Sequence, residues 1–520
     1  MILIISSFVI FYDIIVKDKI KMGYYAHLKK GLKYMAYSYL DDHTLEDLYD
    51  EMEAVYLNDN RPWIIGYSGG KDSTVCVELT FRMLMRLPKE KRHKSVYIVS
   101  SDTLIENPII LDFLNSNINM IKRSAIELEL PIKAEIVTPN PKDSYWANII
   151  GRGYPTPKSI QYRWCTERLK INPSNKFIKE KLEKEDVIVI LGVRKDESSA
   201  RKARIEKKEI EGYLLSPHPT LKGKDKLAYV YTPIVDFTTA DVWDVLYHEN
   251  DNLIDFGDGY ESPATAWGAS SMELFNMYLK GSGDSGECPF IADESTARSS
   301  CGNSRFGCWI CTVVKEDKSL NGFIESGHDE LKPLLAFRQW VLSIRDIPEN
   351  RKKHKRNGAV VKRDGRIMMG PFTFEARQMI LRKLLETQLE IQKFYPELDL
   401  ITLDELKAIN DIWDDEEDLT STTLLKIYKE VIGKDLPWSE YKKPMFDAST
   451  LDIVKQKCDE YNVDTDLFSK LLIDSNKFKH FSNNTKLKNS VNKILNQQWL
   501  HQDIVEKIED ECNKELNYED

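Results

Sequence analysis

The 520-residue chain lacks a membrane-spanning apolar run at its start, where MILIISSFVIFY gives only twelve mostly apolar residues before Asp13. A transmembrane helix needs about twenty apolar residues. The same segment lacks the basic residues and the small-residue cleavage site of a signal peptide. We therefore expect a cytoplasmic protein without a membrane anchor, with Met22 as a candidate for the true start.

Cysteine is also scarce, with eight residues in 520, which is too few for a disulfide scaffold. Four of the eight fall between Cys288 and Cys311, a concentration that indicates metal binding in a reducing compartment. Positive charge is not in excess, because 73 Lys and Arg against 83 Asp and Glu give a net charge of −10. Any binding to nucleic acid would therefore need a local basic patch.

Short strand-like runs alternate with helical patterns between residues 63 and 193. Apolar residues recur at four-residue spacing from Ser73 onward, and Asn107 to Leu130 is a long helical pattern. This alternation predicts an α/β fold with a doubly wound, mostly parallel sheet. The predicted strands are Trp63–Tyr67, Ser95–Val99, Lys133–Val137 and Val187–Val193.

A glycine-rich turn, SGGKDS, stands between the first strand and the first helix of this pattern. Its glycines allow close backbone approach, and the free N–H groups and dipole of the helix N-terminus favour an anion. Lys71 adds a positive charge, and two serine hydroxyls can donate to phosphate oxygens. An ordinary turn before a helix is the alternative. The predicted phosphate-binding residues are Ser68, Gly69, Gly70, Lys71, Asp72 and Ser73, with Lys71 and Asp72 as catalytic candidates.

The turn resembles the PP-loop, SGGxDS, of the ATP pyrophosphatase superfamily, and it lacks the length and order of the GxxxxGK loop. Members of that superfamily break ATP between the α and β phosphates. They often adenylylate a substrate so that sulfur or nitrogen can displace AMP. The resemblance implies that the chain uses ATP, together with Mg²⁺.

Three further side chains are candidates for the nucleotide site. Asp102 follows the second strand, where ligands of open α/β sheets gather, so it is either a ribose or metal contact or a surface turn residue. Arg194 and Arg201, in the segment GVRKDESSAR, follow a buried strand. Guanidinium groups there can clamp phosphate, and solvated surface arginines are the alternative.

Cys165 lies in the polar segment RWCTERLKINP, which we expect to be a loop, beside Arg163, Arg168 and Lys170. Neighbouring cations lower the pKa of a thiol, and the thiolate is the reactive form. Cys165 could therefore carry sulfur as a persulfide or ligate a metal. A small buried hydrophobic residue is the alternative.

The four clustered cysteines have the spacing C-x12-C-x6-C-x2-C. Four thiolates suit either Zn²⁺ or a [4Fe–4S] cluster. A zinc ribbon usually has two CxxC pairs, and this segment has one, which favours iron–sulfur without deciding it. A redox disulfide or free thiols remain the alternative. The predicted metal ligands are Cys288, Cys301, Cys308 and Cys311.

Several further segments restrict the resemblance from the ATP pyrophosphatase superfamily to particular families within it. Arg163–Pro173, Gly192–Arg201 and Pro233–Leu246 are similar to segments of phosphoadenylyl-sulfate (PAPS) reductases. Together with the PP-loop and Gly307–Val314 (GCWICTVV), they resemble the DndC family, the iron–sulfur sulfurtransferases of bacterial DNA phosphorothioation. The resemblance covers roughly half of the chain.

That resemblance implies an enzyme that replaces a non-bridging phosphate oxygen of DNA by sulfur. ATP would activate the oxygen, and sulfur from a persulfide or from the cluster would displace it. The implied partners are DNA, a cysteine desulfurase as sulfur donor and the other subunits of the Dnd system, with no membrane.

Three other functions remain open. A PAPS reductase-type oxidoreductase is less favoured, because those reductases typically end in an ECGxH-type nucleophile and Glu511-Cys512-Asn513 lacks its Gly and His. A tRNA-thiolating enzyme would differ in substrate alone. A zinc-bearing scaffold that binds ATP without turnover would not be an enzyme.

We predict four parts of the chain: an N-terminal extension and helical segment (1–57), a PP-loop domain (58–255), a Cys-rich segment (256–322) and a helical C-terminal region (323–520). The last part contains a basic run, Arg351–Arg366, in which eight of sixteen residues are Lys or Arg. This run could follow a phosphate backbone or be a solvated loop.

Overall fold

The structure is a computed structural model, and part of the chain lies outside the residues that it describes. Cys288, Cys301 and the C-terminal Cys512 are among the residues outside it. The described residues are 38–197, 199–206, 214–248, 253–255, 261–280, 307–363, 366–441, 446, 448–477, 484–497, 505, 507–508 and 510.

A six-stranded sheet lies at the centre of the described chain. Its strands β1 to β6 are Trp63–Gly66, Val96–Ser101, Ile132–Val137, Val187–Ile190, Ser216–Lys222 and Leu227–Tyr231. The order is β3-β2-β1-β4-β6-β5, and all neighbours are parallel except β5, which pairs antiparallel with β6 at the edge. The predicted doubly wound, mostly parallel sheet is confirmed. The topological switch point, where such folds bind ligands, lies between β1 and β4.

Seven helices of eight or more residues accompany this part of the described chain. Helices α1 to α7 are Leu45–Leu57, Lys71–Arg86, Pro108–Glu127, Asn172–Leu182, Ser199–Glu206, Thr239–His248 and Ser271–Lys280. The predicted apolar stripe of α2 (Val75, Leu79 and Met83) is fully buried. Helix α2 begins at Lys71, two residues before the predicted start, because Gly70 has the extended conformation of an N-cap residue. No helix among the described residues is both long and apolar enough to cross a membrane.

Thr238 and Asp241 form a reciprocal cap at the start of α6. The Thr238 backbone N–H donates to Asp241 Oδ2 (2.6 Å), and the Asp241 N–H donates to Thr238 Oγ1 (3.2 Å). Asp241 is fully buried, and its Oδ2 also accepts the backbone N–H of Tyr39 (3.2 Å). This carboxylate therefore ties the first described residues to the sheet domain.

The C-terminal region is helical, as predicted. Two tryptophans join it to the sheet domain, because Trp146 Nε1 donates to Leu400 O (2.7 Å) and Trp413 Nε1 donates to Ile150 O (2.8 Å).

Short strand pairs are β7 with β8 (Leu253–Asp255, Glu261–Pro263) and β9 with β10 (Lys362–Arg363, Arg366–Ile367). Helices α8 to α15 are Lys318–Glu325, Lys332–Ile344, Phe374–Ile391, Leu403–Glu416, Thr423–Ile432, Ala448–Tyr461, Thr465–Lys477 and Asn484–Leu495.

Candidate functional site

The predicted phosphate-binding turn, residues 68–73, connects β1 to α2 at the switch point of the sheet. We call it the phosphate loop. Gly69 has a φ of +73°, a conformation that a residue with a Cβ rarely adopts. The hydroxyls bond within the loop: Ser68 Oγ lies 3.1 Å from Ser73 Oγ, which donates to Gly70 O (2.9 Å). These contacts hold the start of α2 in the turn geometry that the sequence predicts.

The end of β4 packs against the backbone of this loop. A Cβ at Gly192 would lie 2.8 Å from the Asp72 carbonyl oxygen and 3.1 Å from the Ser73 nitrogen. Only glycine allows this approach without displacing one of the two backbones. Gly192 is therefore a second glycine on which the loop geometry depends, although it is distant in sequence.

The charged groups at the loop form one buried set. Lys71 is 2% exposed, and its Nζ lies 3.5 Å from Asp72 Oδ2. Arg194, also 2% exposed, donates from Nε to Asp72 Oδ1 (2.6 Å). Arg201 pairs with Glu197, whose pKa is raised by burial. Both arginines thus hold carboxylates in this structure, and their role as phosphate clamps stays a prediction.

Tyr278 of α7 covers the phosphate loop. Its hydroxyl accepts the backbone N–H of Lys71 (3.1 Å), and its ring centroid lies 5.1 Å from Lys71 Nζ. The ring is 5% exposed and packs edge-on against Trp243 (centroids 5.7 Å apart). Sequence reasoning missed this residue, because nothing in the pattern of α7 distinguishes a tyrosine over the loop from an ordinary core tyrosine.

A second site lies in a cavity of about 300 Å³ that we call the thiol pocket. It brings Cys165 together with Cys308 and Cys311, the CxxC pair of the Cys-rich segment. The sequence alone did not predict this meeting. The residues of its wall that matter below are Thr103, Ile105, Tyr145, Pro157, Arg163, Thr166, Leu169, Lys170, Ile310 and Thr312.

Local structure places the cysteines at this cavity. Cys165 lies in a helical turn, Trp164–Thr166, followed by a π-helical turn, Glu167–Ile171, that leads into α4. The predicted polar loop at Cys165 is therefore wrong, because a helix begins at Trp164. Cys308 pairs with Glu106 in an isolated antiparallel bridge. π-turns inside helices are frequent at functional sites.

Burial dominates the electrostatics of the thiol pocket. It raises the pKa of the Cys308 thiol well above its usual range, Glu106 raises it further, and Lys170 opposes both. Lys170 Nζ lies 3.7 Å from Glu106 Oε1. Of the three cations predicted beside Cys165, Arg163 and Lys170 line the cavity. Arg168 instead donates to Asn148 Oδ1 (2.8 Å).

Two of the four predicted metal ligands, Cys308 and Cys311, lie at the pocket. Within the described residues, no group of three or more His, Cys, Asp or Glu side chains is placed to hold a metal ion. Cys288 and Cys301 lie outside those residues. The donor chemistry fits, since three thiols share one cavity, and a bound metal would deprotonate Cys308, whose thiol burial keeps neutral.

A larger cavity of about 1150 Å³, here called the basic groove, adjoins the thiol pocket and shares Pro157, Arg163 and Thr166 with it. Part of the basic run forms one wall, and residues 155–171 form the other. The charged residues at the groove are Lys158, Arg163, Arg351, Lys355, Arg363 and Arg366, against Glu167 and Asp346.

Several residues of the basic run, Arg351 at the groove among them, make internal contacts. Lys352 Nζ lies 2.8 Å from Glu417 Oε1, and Arg356 pairs with Glu416. Arg351 is 8% exposed and donates from Nε to Gly370 O (2.8 Å). The basic run is therefore neither a wholly solvated loop nor a fully exposed strip. Some of its cations line the groove, and others form ion pairs or hydrogen bonds inside the protein.

One family model covers the part of the chain that holds both sites. Residues 62–314 match the family model described as the phosphoadenosine phosphosulfate reductase domain. The chain contains a PAPS reductase-like domain. The match begins one residue before β1 and ends at Val314, so the PAPS reductase-like domain includes the phosphate loop and all three cysteines of the thiol pocket.

Individual relatives of the PAPS reductase-like domain are distant. An uncharacterized protein of Methanocaldococcus jannaschii is 31% identical over 149 residues, which are 28% of this chain and 26% of that protein. The match therefore spans about a quarter of that relative's length.

Two solved structures are similar to the chain at low scores. Candida glabrata FMN adenylyltransferase in complex with FAD and inorganic pyrophosphate is 11% identical with a TM-score of 0.21, covering 39% of this chain and 56% of that one. The U34-tRNA thiolase NcsA from Methanococcus maripaludis with its [4Fe–4S] cluster is 12% identical with a TM-score of 0.24, covering 57% and 80%. Both TM-scores are low, so neither structure indicates what this chain does.

Asp102 lies at the end of β2 in the PAPS reductase-like domain. Its Oδ1 accepts the backbone N–H of Leu104 (2.8 Å), as in an Asx turn. Burial raises the pKa of Asp102 to about 6, with a further contribution from Glu106. This position is compatible with both alternatives given above, a turn residue and a ligand contact. Contact with a ribose or a metal stays a prediction.

Proposed function

We propose that the chain is an ATP-dependent sulfurtransferase that acts on a nucleic-acid backbone, with DNA phosphorothioation as its reaction. One observation carries this proposal: the cavity that brings Cys165 to the CxxC pair shares a wall with the basic groove. Sulfur chemistry and a phosphate backbone would thus meet at Arg163 and Thr166. The family match supports nucleotide-dependent sulfur chemistry at a general level.

ATP would bind at the phosphate loop with its triphosphate at the start of α2. Backbone N–H groups and Lys71 there would stabilise the charge that develops as the bond between the α and β phosphates breaks. The Tyr278 hydroxyl now accepts the Lys71 N–H, so a phosphate oxygen that takes this N–H must displace it. Mg²⁺ would accompany the nucleotide, with Asp72 and Asp102 as the nearest predicted acidic candidates.

The proposed reaction has two displacements. A non-bridging oxygen of the DNA phosphodiester attacks the α-phosphorus of ATP, and pyrophosphate leaves. A persulfide on Cys165 would first be reduced to HS⁻ by an external dithiol, which is oxidised to its disulfide. The HS⁻ then attacks the phosphorus of the adenylylated diester, and AMP leaves with the original oxygen. Phosphodiester, ATP and HS⁻ therefore give phosphorothioate diester, AMP, pyrophosphate and one proton.

The thiol pocket would hold the sulfur. Cys308 and Cys311, with the predicted Cys288 and Cys301, are the proposed ligands of a [4Fe–4S] cluster, and Cys165 is either a further ligand or the persulfide carrier. Such a cluster would supply sulfide at the wall of the pocket. The largely apolar wall with Ile105, Leu169 and Ile310 would keep water from the sulfur.

The basic groove would bind the substrate backbone. Six cations against two acids at the groove give the electrostatic complement of a polyanion, without reading base sequence. A cysteine desulfurase and the other Dnd subunits are the proposed partners for sulfur supply and assembly.

The family match itself favours a second candidate, a PAPS reductase-type oxidoreductase. Such an enzyme would release sulfite from phosphoadenylyl sulfate and would need neither ATP nor DNA. The two functions are separated by their products, pyrophosphate with phosphorothioate in one case and sulfite in the other.

The test uses the full chain purified without oxygen, with ATP, Mg²⁺, plasmid DNA, a cysteine desulfurase, cysteine and dithiothreitol as the dithiol reductant. We expect AMP and pyrophosphate in amounts that depend on DNA, and phosphorothioate dinucleotides after nuclease digestion and mass spectrometry. Lys71→Ala should reduce pyrophosphate release by about 10²–10³-fold, the usual effect of losing a group that stabilises transition-state charge.

Lys89→Ala is the matched control, since Lys89 is exposed and pairs with Glu129 on the surface. Unchanged pyrophosphate release in Lys71→Ala would remove the loop from the mechanism. Sulfite from phosphoadenylyl sulfate would favour the reductase, and no product from either substrate would favour a scaffold that binds ATP without turnover.

A further inference from the structure

Tyr145 is a buried tyrosine of the thiol pocket with a hydroxyl that makes no hydrogen bond among the described residues. The residue is 2% exposed. A buried hydroxyl without a partner is costly, so its retention at a cavity indicates an acceptor that the polypeptide does not supply. Neither the phosphate loop nor the proposed ligand set uses this residue.

The ring of Tyr145 is held in place by two tryptophans. It stacks on Trp164 (centroids 5.5 Å apart, 21° between planes) and packs edge-on against Trp146 (5.0 Å, 83°). Trp146 is itself fixed by its hydrogen bond to Leu400 O. The ring of Tyr145 is therefore held at the wall of the pocket by an aromatic stack.

Other hydroxyls of the pocket wall are already engaged. Thr103 Oγ1 donates to Glu106 Oε1 (2.8 Å) and lies 3.7 Å from Cys308 Sγ. Thr312 Oγ1 donates to Pro157 O (2.8 Å). Tyr145 thus differs from them in having a donor available for something bound in the cavity.

We propose that Tyr145 is a positioning residue whose hydroxyl donates a hydrogen bond to an anionic sulfur atom held by the thiols of this pocket. The inference rests on the proposed function, since it needs sulfur in the pocket. The sulfur is either a sulfide of a bound iron–sulfur cluster or the terminal sulfur of a persulfide on Cys165, and both are acceptors of the same kind.

The groups around the hydroxyl agree with a donor role. Three thiols, Cys165, Cys308 and Cys311, line the same cavity as Tyr145. A phenol hydroxyl can donate a hydrogen bond to anionic sulfur held there and so stabilise the anion.

The test compares Tyr145→Phe with the unaltered full chain, purified without oxygen and free of ATP and DNA. If the chain carries iron and sulfide, the variant should keep the same amounts but have a more negative reduction potential, because hydrogen bonds to cluster sulfurs raise that potential. If it carries no iron, the chain is loaded with polysulfide. The variant should then lose its cyanide-reactive sulfur several-fold faster to dithiothreitol.

Tyr154→Phe is the matched control, because Tyr154 packs on the same Trp164 (centroids 5.7 Å apart) but does not line the pocket. It should leave the potential and the sulfur lifetime unchanged. Melting temperatures of all variants exclude an effect of misfolding.

Equal potentials, or equal sulfur lifetimes, in Tyr145→Phe and the unaltered chain would overturn the proposal and leave a hydroxyl that only binds water. Failure to hold either iron–sulfur or persulfide sulfur would also overturn it. A shifted potential in a chain that releases no pyrophosphate would support Tyr145 and reject the proposed ATP-dependent reaction, so the two failures are distinguishable.

Discussion

The phosphate loop and the thiol pocket belong to the same PAPS reductase-like domain but differ in how their polar groups are satisfied. In the loop, the hydroxyls of Ser68, Ser73 and Thr74 all have partners within the turn. In the pocket, the Tyr145 hydroxyl has none among the described residues. A ligand must therefore break existing hydrogen bonds to bind at the loop. In the pocket, the Tyr145 hydroxyl is a donor that a bound ligand can use directly.

Replacing a thiol of the pocket should produce the largest difference between the two sites, because it should change what the pocket binds and leave the phosphate loop intact. Cys308→Ser is expected to remove most of the bound iron and sulfide, because serine is a poor cluster ligand and Cys308 is buried at the pocket. ATP binding at the phosphate loop should persist. Iron and acid-labile sulfide analysis and nucleotide titration measure the two properties.

Cys458→Ser is the control for the loss of a buried thiol elsewhere, since Cys458 lies in α13, outside the pocket. Equal iron content in the Cys308→Ser and Cys458→Ser variants would contradict a metal site at the pocket. Bound zinc without sulfide would turn the Cys-rich segment into a fold element.

Gly192→Ala tests the closed packing of the loop. The added Cβ would meet the Asp72 carbonyl at 2.8 Å, so the free energy of unfolding should fall by about 2–3 kcal/mol, the cost of overpacking. ATP affinity should fall as well, because the start of α2 must shift. Urea unfolding and nucleotide titration measure both, and wild-type stability in this variant would show that the approach is looser than described.

Asp102→Asn tests the carboxylate that directly follows β2. Burial raises the pKa of Asp102 to about 6, above its ordinary 3.8. The folded state therefore binds the proton more tightly, and the free energy of unfolding falls as the pH rises from 3.8 to 6. Asn keeps the acceptor for the Leu104 N–H but has no charge.

The pKa shift from 3.8 to about 6 is multiplied by about 1.36 kcal/mol per pKa unit, and about half of the product is kept because the side chain is partly exposed. The Asn variant should therefore be about 1.5 kcal/mol more stable at pH 7. At pH 3.5 the two proteins should be equally stable. Urea unfolding at several pH values measures this, and parallel pH profiles would contradict the raised pKa.

Tyr278→Phe should produce the smallest effect. It removes the hydroxyl that accepts the Lys71 N–H and keeps the ring beside the ammonium group. ATP should bind about fivefold more tightly, the equivalent of about 1 kcal/mol for one hydrogen bond that no longer competes. Isothermal titration with a non-hydrolysable ATP analogue measures the change.

Tyr247→Phe is the control for this experiment, because Tyr247 belongs to the same aromatic cluster and its hydroxyl donates to Met272 Sδ (3.6 Å). Weaker ATP binding in Tyr278→Phe would mean that the hydroxyl assists the nucleotide.

Much of the fold could be predicted from the sequence because strands and helices depend on local patterns. The strands β1 to β4 and the helices α2 and α3 match the predicted segments within a few residues. The helical state of Cys165 could not be predicted, because the polar residues around it favour a loop, and packing of Trp164 and Leu169 overrides that preference.

The sequence by itself determined the phosphate loop, because Ser68 to Ser73 are contiguous and their turn, glycines and helix start act locally. Tertiary structure alone decided which distant groups meet there and at the thiols. Asp72 is bound by Arg194, Tyr278 covers Lys71, and Tyr145 faces Cys165 and the CxxC pair. These contacts depend on the order of the strands and the packing of helices, which bring together side chains that no local pattern relates.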